Sequence, residues 1–275
     1  MSASDGVFVR ETGEGPEPAL LLHCGLGQSG MWRGVAGQLA ARLRMRAPDL
    51  PGHGRSAPFP DGCDVHTAAT EAVRPFFDAG THLVGHSFGA TIALRLALES
   101  PDKVASLTLI EPVFFAAAKG RPSHAPHRAS EEAFFEVYNQ GDLLAAARVF
   151  NRLWGGGVPW DSFRPDMQQA MAKGMPFVVG TEPSLWQDCH TLLRPGGLET
   201  LDMPVTFVRG SETVPIISDV HAGLSARIPQ AHEIVVPKAA HMLVLTHPDA
   251  VSQAILSTVE AAPLGHADPA ETVQD

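Results

Sequence analysis

Short apolar runs, separated by turn-forming residues, recur in the first and last thirds of the chain. Six of these runs predict β-strands, at residues 19–23, 43–47, 81–85, 107–110, 205–208 and 233–236. Segments with helical periodicity follow several of them, and the clearest, at residues 90–99, ends before Pro101. Strands that alternate with helices are typical of a mainly parallel sheet with helices on its faces.

The middle of the chain, residues 113–202, carries no strand signal of comparable strength. Residues 131–153 have helical apolar spacing, and a further helix is expected around residues 166–173. Connections of this length are seldom structureless, so we predict a helical cap (lid). The cap would be inserted into a core made of residues 1–112 and 203–261. Residues 262–275, rich in Ala, Pro, Gly and acidic side chains, are predicted to form a mobile tail.

Composition narrows the possible partners and the cellular location. The 275 residues carry a formal net charge of −10, with Lys and Arg scattered along the chain. This balance argues against binding to nucleic acid or to an anionic membrane surface. Cys24, Cys63 and Cys189 form neither a disulfide ladder nor a CxxC pair, which favours a reducing compartment. With no run resembling a signal peptide or membrane span, a cytoplasmic location is expected.

The most informative segment is Gly85-His86-Ser87-Phe88-Gly89, which follows a predicted strand and directly precedes a predicted helix. This Gly-x-Ser-x-Gly pattern, in this context, predicts a nucleophile elbow. The turn would hold Ser87 in a strained backbone conformation at the positive end of a helix. Side chains at Gly85 and Gly89 would collide with neighbouring backbone. The alternative is that these five residues form only an ordinary strand-to-helix turn, because the pattern taken alone is a weak signal.

Two further segments make the resemblance to a known family specific. Leu21-Leu22-His23 and its Gly-rich loop resemble the His-Gly loop of the α/β-hydrolase superfamily, and residues 49–56 (DLPGHGRS) resemble the loop after that family's fourth strand. With the elbow, the resemblance covers about residues 6–260. It implies the α/β-hydrolase fold, a mostly parallel central sheet flanked by helices, with a serine nucleophile and no metal or organic cofactor.

The resemblance also implies an oxyanion hole made of two backbone N–H groups. One belongs to Phe88, the residue after the nucleophile, and the other to Gly25. Cys24 stands where the family usually has Gly. Cys24 as the nucleophile is a competing hypothesis that no base motif accompanies. His23 and His86 are interpreted as structural loop residues.

Position in the chain selects the general base among 13 histidines. The family's base lies in the loop after the last strand, which points to His241, although Ala240 replaces the usual preceding Gly. A serine hydroxyl needs such a base to take its proton. The alternative is that His241 merely caps the following helix, the role we assign to His247.

The acid of the triad is left open between two carboxylates. The family's usual position corresponds here to Thr213, which cannot supply a charge. Glu111 ends a predicted buried strand, where an isolated acid is costly unless it is paired. Glu212 is the local alternative, and Asp219 is a more distant third. We favour Glu111.

These expectations combine into a capped serine hydrolase that cleaves a small, rather hydrophobic ester or related acyl bond through an acyl-Ser87 intermediate. Thr213 at the usual acid position keeps open a ligand-binding protein of the same fold with little or no turnover. Hydrolysis of a carbon–carbon bond is a further alternative, because the fold alone does not choose the reaction.

Overall fold

The chain forms a central seven-stranded sheet. The structure is a computed structural model that describes residues 6–263. The strands are β1 (Val9–Thr12), β2 (Glu17–Leu22), β3 (Leu43–Pro48), β4 (Thr81–His86), β5 (Val104–Ile110), β6 (Val205–Gly210) and β7 (Ala231–Val236). The helices are α1 (Arg33–Leu39), α2 (Val65–Val73), α3 (Phe88–Glu99), α4 (His124–Ser130), α5 (Glu132–Asn139), α6 (Leu143–Trp154), α7 (Pro165–Lys173), α8 (Met175–Gly180), α9 (Glu182–Trp186), α10 (Pro215–Ser225), α11 (Leu243–Thr246) and α12 (Pro248–Glu260). Most of the predicted tail lies outside the described residues.

The sheet is parallel except at one edge. Its strand order is β1-β3-β2-β4-β5-β6-β7, and only β1 pairs antiparallel to its neighbour. The predicted fold class and all six predicted strands are confirmed. Strand β1 was missed because its four residues are half-buried or exposed and include no apolar run. No helix within residues 6–263 is long and apolar enough to cross a membrane.

Successive strand residues face opposite sides of the sheet and feed two separate hydrophobic cores. Leu20, Leu22 and Leu83 belong to the core that contains side chains of α3 and α10. Leu21 and Val84 belong to the other, together with side chains of α1 and α12. Burial on both faces explains why these strands read as continuous apolar runs in the sequence.

The segment between β5 and β6 contains six helices, α4 to α9, and no strand among its described residues. The helical segment expected at residues 131–153 is in fact two helices, α5 and α6. They separate at Gly141, whose φ of 83° is outside the helical region, and the Asp142 side chain then caps α6 by accepting from the Ala145 N–H. A third cluster of buried side chains, which includes Phe134 and Met175, gives these helices their own small core.

The turn between β4 and α3 holds a single non-helical residue, Ser87. Its backbone has φ 56° and ψ −115°, which confirms the strain expected of the elbow. A Cβ added at Gly85 would overlap the backbone of Gly89 and Ala90, and one at Gly89 would overlap the carbonyl groups that end β2. Both glycines are therefore required by close backbone approach.

Replacement of Gly89 by Ala tests this packing. We expect Gly89→Ala to lower the free energy of unfolding by about 3 kcal/mol, because the new methyl group meets rigid backbone. Gly37→Ala is the matched control. Gly37 is exposed in α1 with open space around its Cα, and Ala there should raise the free energy of unfolding by about 0.5–1 kcal/mol. Urea denaturation measures both, and equal effects would contradict the elbow packing.

Candidate active site

Ser87 and His241 meet at the carboxyl edge of the sheet. Ser87 lies at the N-terminus of α3, and His241 lies in the loop between β7 and α11. The Ser87 Oγ and His241 Nε2 atoms are 3.0 Å apart, and both residues are buried. This distance suits a hydroxyl that donates to a neutral imidazole, which is the arrangement that activates a serine.

Glu111 completes a line of three groups. It directly follows β5, has a φ of 50°, and is fully buried. Its Oε2 lies 3.0 Å from Nδ1 of His241. With Nδ1–H donating to this carboxylate, Nε2 of His241 is left as an acceptor for the Ser87 hydroxyl. The structure thus brings Ser87, His241 and Glu111 together.

Two further donors satisfy the Glu111 carboxylate. The Thr213 hydroxyl donates to Oε2 at 2.5 Å, and the Gly210 N–H donates to Oε1 at 2.8 Å. Burial alone raises the pKa of Glu111, but the contact with His241 and these two donors outweigh it and hold the pKa below its ordinary value. The carboxylate is therefore ionised at neutral pH. Thr213, at the family's usual acid position, supports the acid.

The other two candidate acids have different surroundings. Glu212 is exposed, and among the described residues its carboxylate makes no hydrogen bond to His241. Asp219 accepts hydrogen bonds from the backbone and hydroxyl of Ser123. This geometry favours Glu111 over both.

Gly25 and Phe88 lie on the wall of the same cavity as Ser87. Phe88 is the first residue of α3, so its N–H has no partner within the helix. The Gly25 N–H donates to no other described group. Two backbone N–H groups on the cavity wall that also holds Ser87 are the kind of donors an oxyanion hole requires.

Two buried imidazoles fix the loop that carries Gly25. His23 accepts from the Leu50 N–H at 2.8 Å and contacts the Cys24 carbonyl at 2.7 Å. Burial lowers the pKa of His23 to about 3, so the ring stays neutral. His53 accepts from the Leu26 N–H at 3.1 Å. No role was predicted for His53 from the sequence. Its position within the segment DLPGHGRS could have indicated a structural role.

His86 and Cys24 have structural surroundings. His86 donates from Nε2 to the backbone carbonyl of His241 at 2.8 Å and so links the elbow to the loop of the base. Burial raises the pKa of the Cys24 thiol to about 12. A thiol that stays protonated is a poor nucleophile, so the structure does not support the hypothesis that Cys24 attacks the substrate.

The serine opens into a cavity of about 650 Å³ whose wall is mostly apolar. The core contributes residues around Ser87 and His241, and the segment between β5 and β6 contributes the remainder of the wall. The ring of Trp154, from α6, packs edge-on against the His241 imidazole with centroids 4.7 Å apart. The volume and apolar lining suit a small organic ligand.

One group of potential metal ligands lies elsewhere. Ligand atoms of Asp64, Cys189 and His190 lie within 4.8 Å of one another, and none of the three lines the cavity. His190 Nε2 is already 3.1 Å from the Ser184 hydroxyl and 3.2 Å from the Asp64 carboxylate. Hydrogen bonding therefore accounts for this arrangement.

The fold and the line of three groups define an α/β hydrolase with a serine nucleophile. The alpha/beta hydrolase family matches residues 19–254, and the chain belongs to it. It is 30% identical to the pimeloyl-[acyl-carrier protein] methyl ester esterase of Aeromonas salmonicida, over 88% of this chain and 94% of the relative. A second esterase of that name, from Nitrosomonas europaea, is 24% identical, over 88% of this chain and 95% of the relative. The chain is a hydrolase.

Solved structures give the same fold. A hydrolase from Pseudomonas aeruginosa superposes with a TM-score of 0.72 at 21% identity, covering 94% of this chain and 97% of that one. A carboxylesterase from Bacillus subtilis superposes with a TM-score of 0.66 at 22% identity, covering 92% and 87%. Because relatives over most of the chain are enzymes, the alternative of a ligand-binding protein without turnover loses its support.

Exchange of each candidate acid for its amide tests the assignment. We expect Glu111→Gln to lower kcat/KM by about three to four orders of magnitude, because the amide cannot stabilise the imidazolium. Glu212→Gln, which removes the same charge from a neighbouring exposed position, is the control and should retain wild-type kcat/KM. Steady-state kinetics on one activated ester suffices. A large loss in Glu212→Gln with none in Glu111→Gln would reverse the assignment.

Proposed function

We propose that Ser87, His241 and Glu111 hydrolyse a carboxylic ester through an acyl-serine intermediate. The observation that carries the proposal is the unbroken line from the buried Glu111 carboxylate, through both nitrogens of His241, to the Ser87 hydroxyl on the cavity wall. Nε2 takes the serine proton while Oγ attacks the ester carbonyl. Ionised Glu111 stabilises the imidazolium that forms.

The proposed mechanism then proceeds in two halves. In the first, the N–H groups of Gly25 and Phe88 donate to the oxyanion, and His241 protonates the departing alcohol. In the second, His241 takes a proton from water, which attacks the acyl-Ser87 carbonyl. Collapse of the second tetrahedral intermediate releases the acid and returns the proton to Ser87.

The substrate we propose is a small-molecule ester with an apolar acyl chain, since the cavity wall is mainly hydrophobic. The esterase relatives make the methyl ester of a pimeloyl chain the first compound to test. We further propose that residues 113–202 form a lid, because their helices provide much of the cavity wall and place Trp154 against His241. Three free cysteines support a cytoplasmic location.

A covalent probe tests the nucleophile. We expect a fluorophosphonate to label the wild-type protein and not Ser87→Ala, whose kcat should fall by about a millionfold. Ser257→Ala, an exposed position on α12, is the control and should be labelled like the wild type. Labelling is measured by intact-protein mass spectrometry. Persistent labelling of Ser87→Ala would assign the nucleophile elsewhere.

Chain length tests the acyl site. For methyl esters of straight-chain acids we expect kcat/KM to rise about fourfold per added methylene until the cavity is filled, since each buried methylene is worth about 0.8 kcal/mol. Titration of released acid follows the reaction without a chromogenic group. Rates that do not depend on chain length would place the acyl chain outside the cavity.

A further inference from the structure

The acidic side chains on the cavity wall are Glu131 and Glu182, and none of the described residues that line the cavity is Lys or Arg. Both acids come from the helical segment, Glu131 between α4 and α5 and Glu182 at the start of α9. A wall that is mostly apolar therefore carries negative charge at one place.

Nearby positive charge only partly compensates these two carboxylates. Arg128 is 2.6 Å from Glu182 and 3.4 Å from Oε2 of Glu131, so a single guanidinium serves both. His127 lies 3.9 Å from Oε1 of Glu131, but burial lowers the pKa of His127 to about 4, so it adds no charge at neutral pH. One negative charge is left over when both acids are ionised.

Glu131 is the less well compensated of the two. Its side chain is 15% exposed, against 24% for Glu182, and it lacks the short contact that Glu182 makes with Arg128. Burial raises the pKa of Glu131 to about 7, although Arg128 opposes this shift. An incoming cation would favour the ionised form.

Aromatic rings occupy the same part of the wall. Phe134 and Phe135 lie on α5, a few residues after Glu131, and Trp186 lies on α9, four residues after Glu182. All three aromatic side chains line the cavity. Arg128 already lies 5.0 Å from the Trp186 ring centroid and 5.2 Å from that of Phe135. Ring faces next to carboxylates are the chemistry that recognises ammonium groups.

We propose that this wall is a subsite for a positively charged group, such as a quaternary ammonium, carried by the acyl or the alcohol part of the ester. The inference rests on the proposed esterase function and names the class of ester that the site prefers. A carboxylate at the same place would be repelled by Glu131 and Glu182, so esters that carry a carboxylate at that position are disfavoured.

Two pairs of isosteric esters test the subsite. The first is acetylcholine and its analogue with a tert-butyl group in place of trimethylammonium. The second is the p-nitrophenyl ester of γ-trimethylammoniobutyric acid and its tert-butyl analogue. We expect the charged member of at least one pair to have a kcat/KM about tenfold higher, because a desolvated cation–ring contact and a nearby carboxylate act together. Equal or lower values for both charged members would overturn the proposal.

Variants identify the group responsible. For the pair that shows the preference, Glu131→Gln should bring the ratio of kcat/KM for the charged ester to kcat/KM for the neutral ester close to one. Glu182→Gln should lower this ratio less. Glu136→Gln removes an exposed charge from the adjoining helix, α5, and should keep the wild-type ratio. A ratio unaffected by Glu131→Gln would overturn the assignment. Failure of the esterase function would be recognised separately, as no cleavage of either member of a pair.

The pH dependence gives an independent measurement. Glu131 is mainly protonated below about pH 7 and ionised above it, so the preference for the charged ester should grow as pH rises from about 6 to 8. The ratio within a pair cancels any pH effect that acts equally on both members. The charged or titratable groups facing Glu131 are Arg128 and His127 from α4 and Glu182 from α9. A pH-independent ratio would contradict the role of Glu131.

Discussion

The contact between the buried Glu111 carboxylate and the His241 imidazole is the interaction on which the active-site geometry depends. A fully buried carboxylate is tolerable only when donors replace the water it has lost. Here the replacements come from the imidazole in the loop after β7, and from a hydroxyl and a backbone N–H at the end of β6. Satisfying one charge therefore ties together the end of β5, the turn after β6 and the loop after β7.

A second link holds the base against the nucleophile. The His86 ring, next to Ser87 in the chain, donates to the backbone carbonyl of His241. The Ser87–His241 distance is thus supported by a contact outside the reacting groups. Together with the strained elbow, this contact preorganises the site before substrate enters, which is where much of an enzyme's rate advantage arises.

Local patterns were enough to predict most of the sheet and the nucleophile. Ser87 is recognisable because the elbow imposes glycines and a strand–helix context within a few residues, and Glu111 because an acid that ends a buried strand needs a partner. Features that depend on tertiary contacts were not predictable in this way. The break at Gly141 and the strand at β1 carry weak local signals, and Glu131 gains significance only because the five helices α5 to α9 and the elbow line one cavity.

Placement of the carboxylate after β5 changes what evolution can alter in this protein. The turn after β6 supplies only a hydroxyl and a main-chain donor, which serine could provide as well as Thr213, so its sequence has room to drift. Glu111 is more constrained, because the site depends on its left-handed backbone conformation, on the length of its side chain and on its charge. Sequence differences among related proteins should therefore accumulate in the turn after β6, while the residue after β5 stays the same. The opposite pattern is expected in relatives whose acid follows β6.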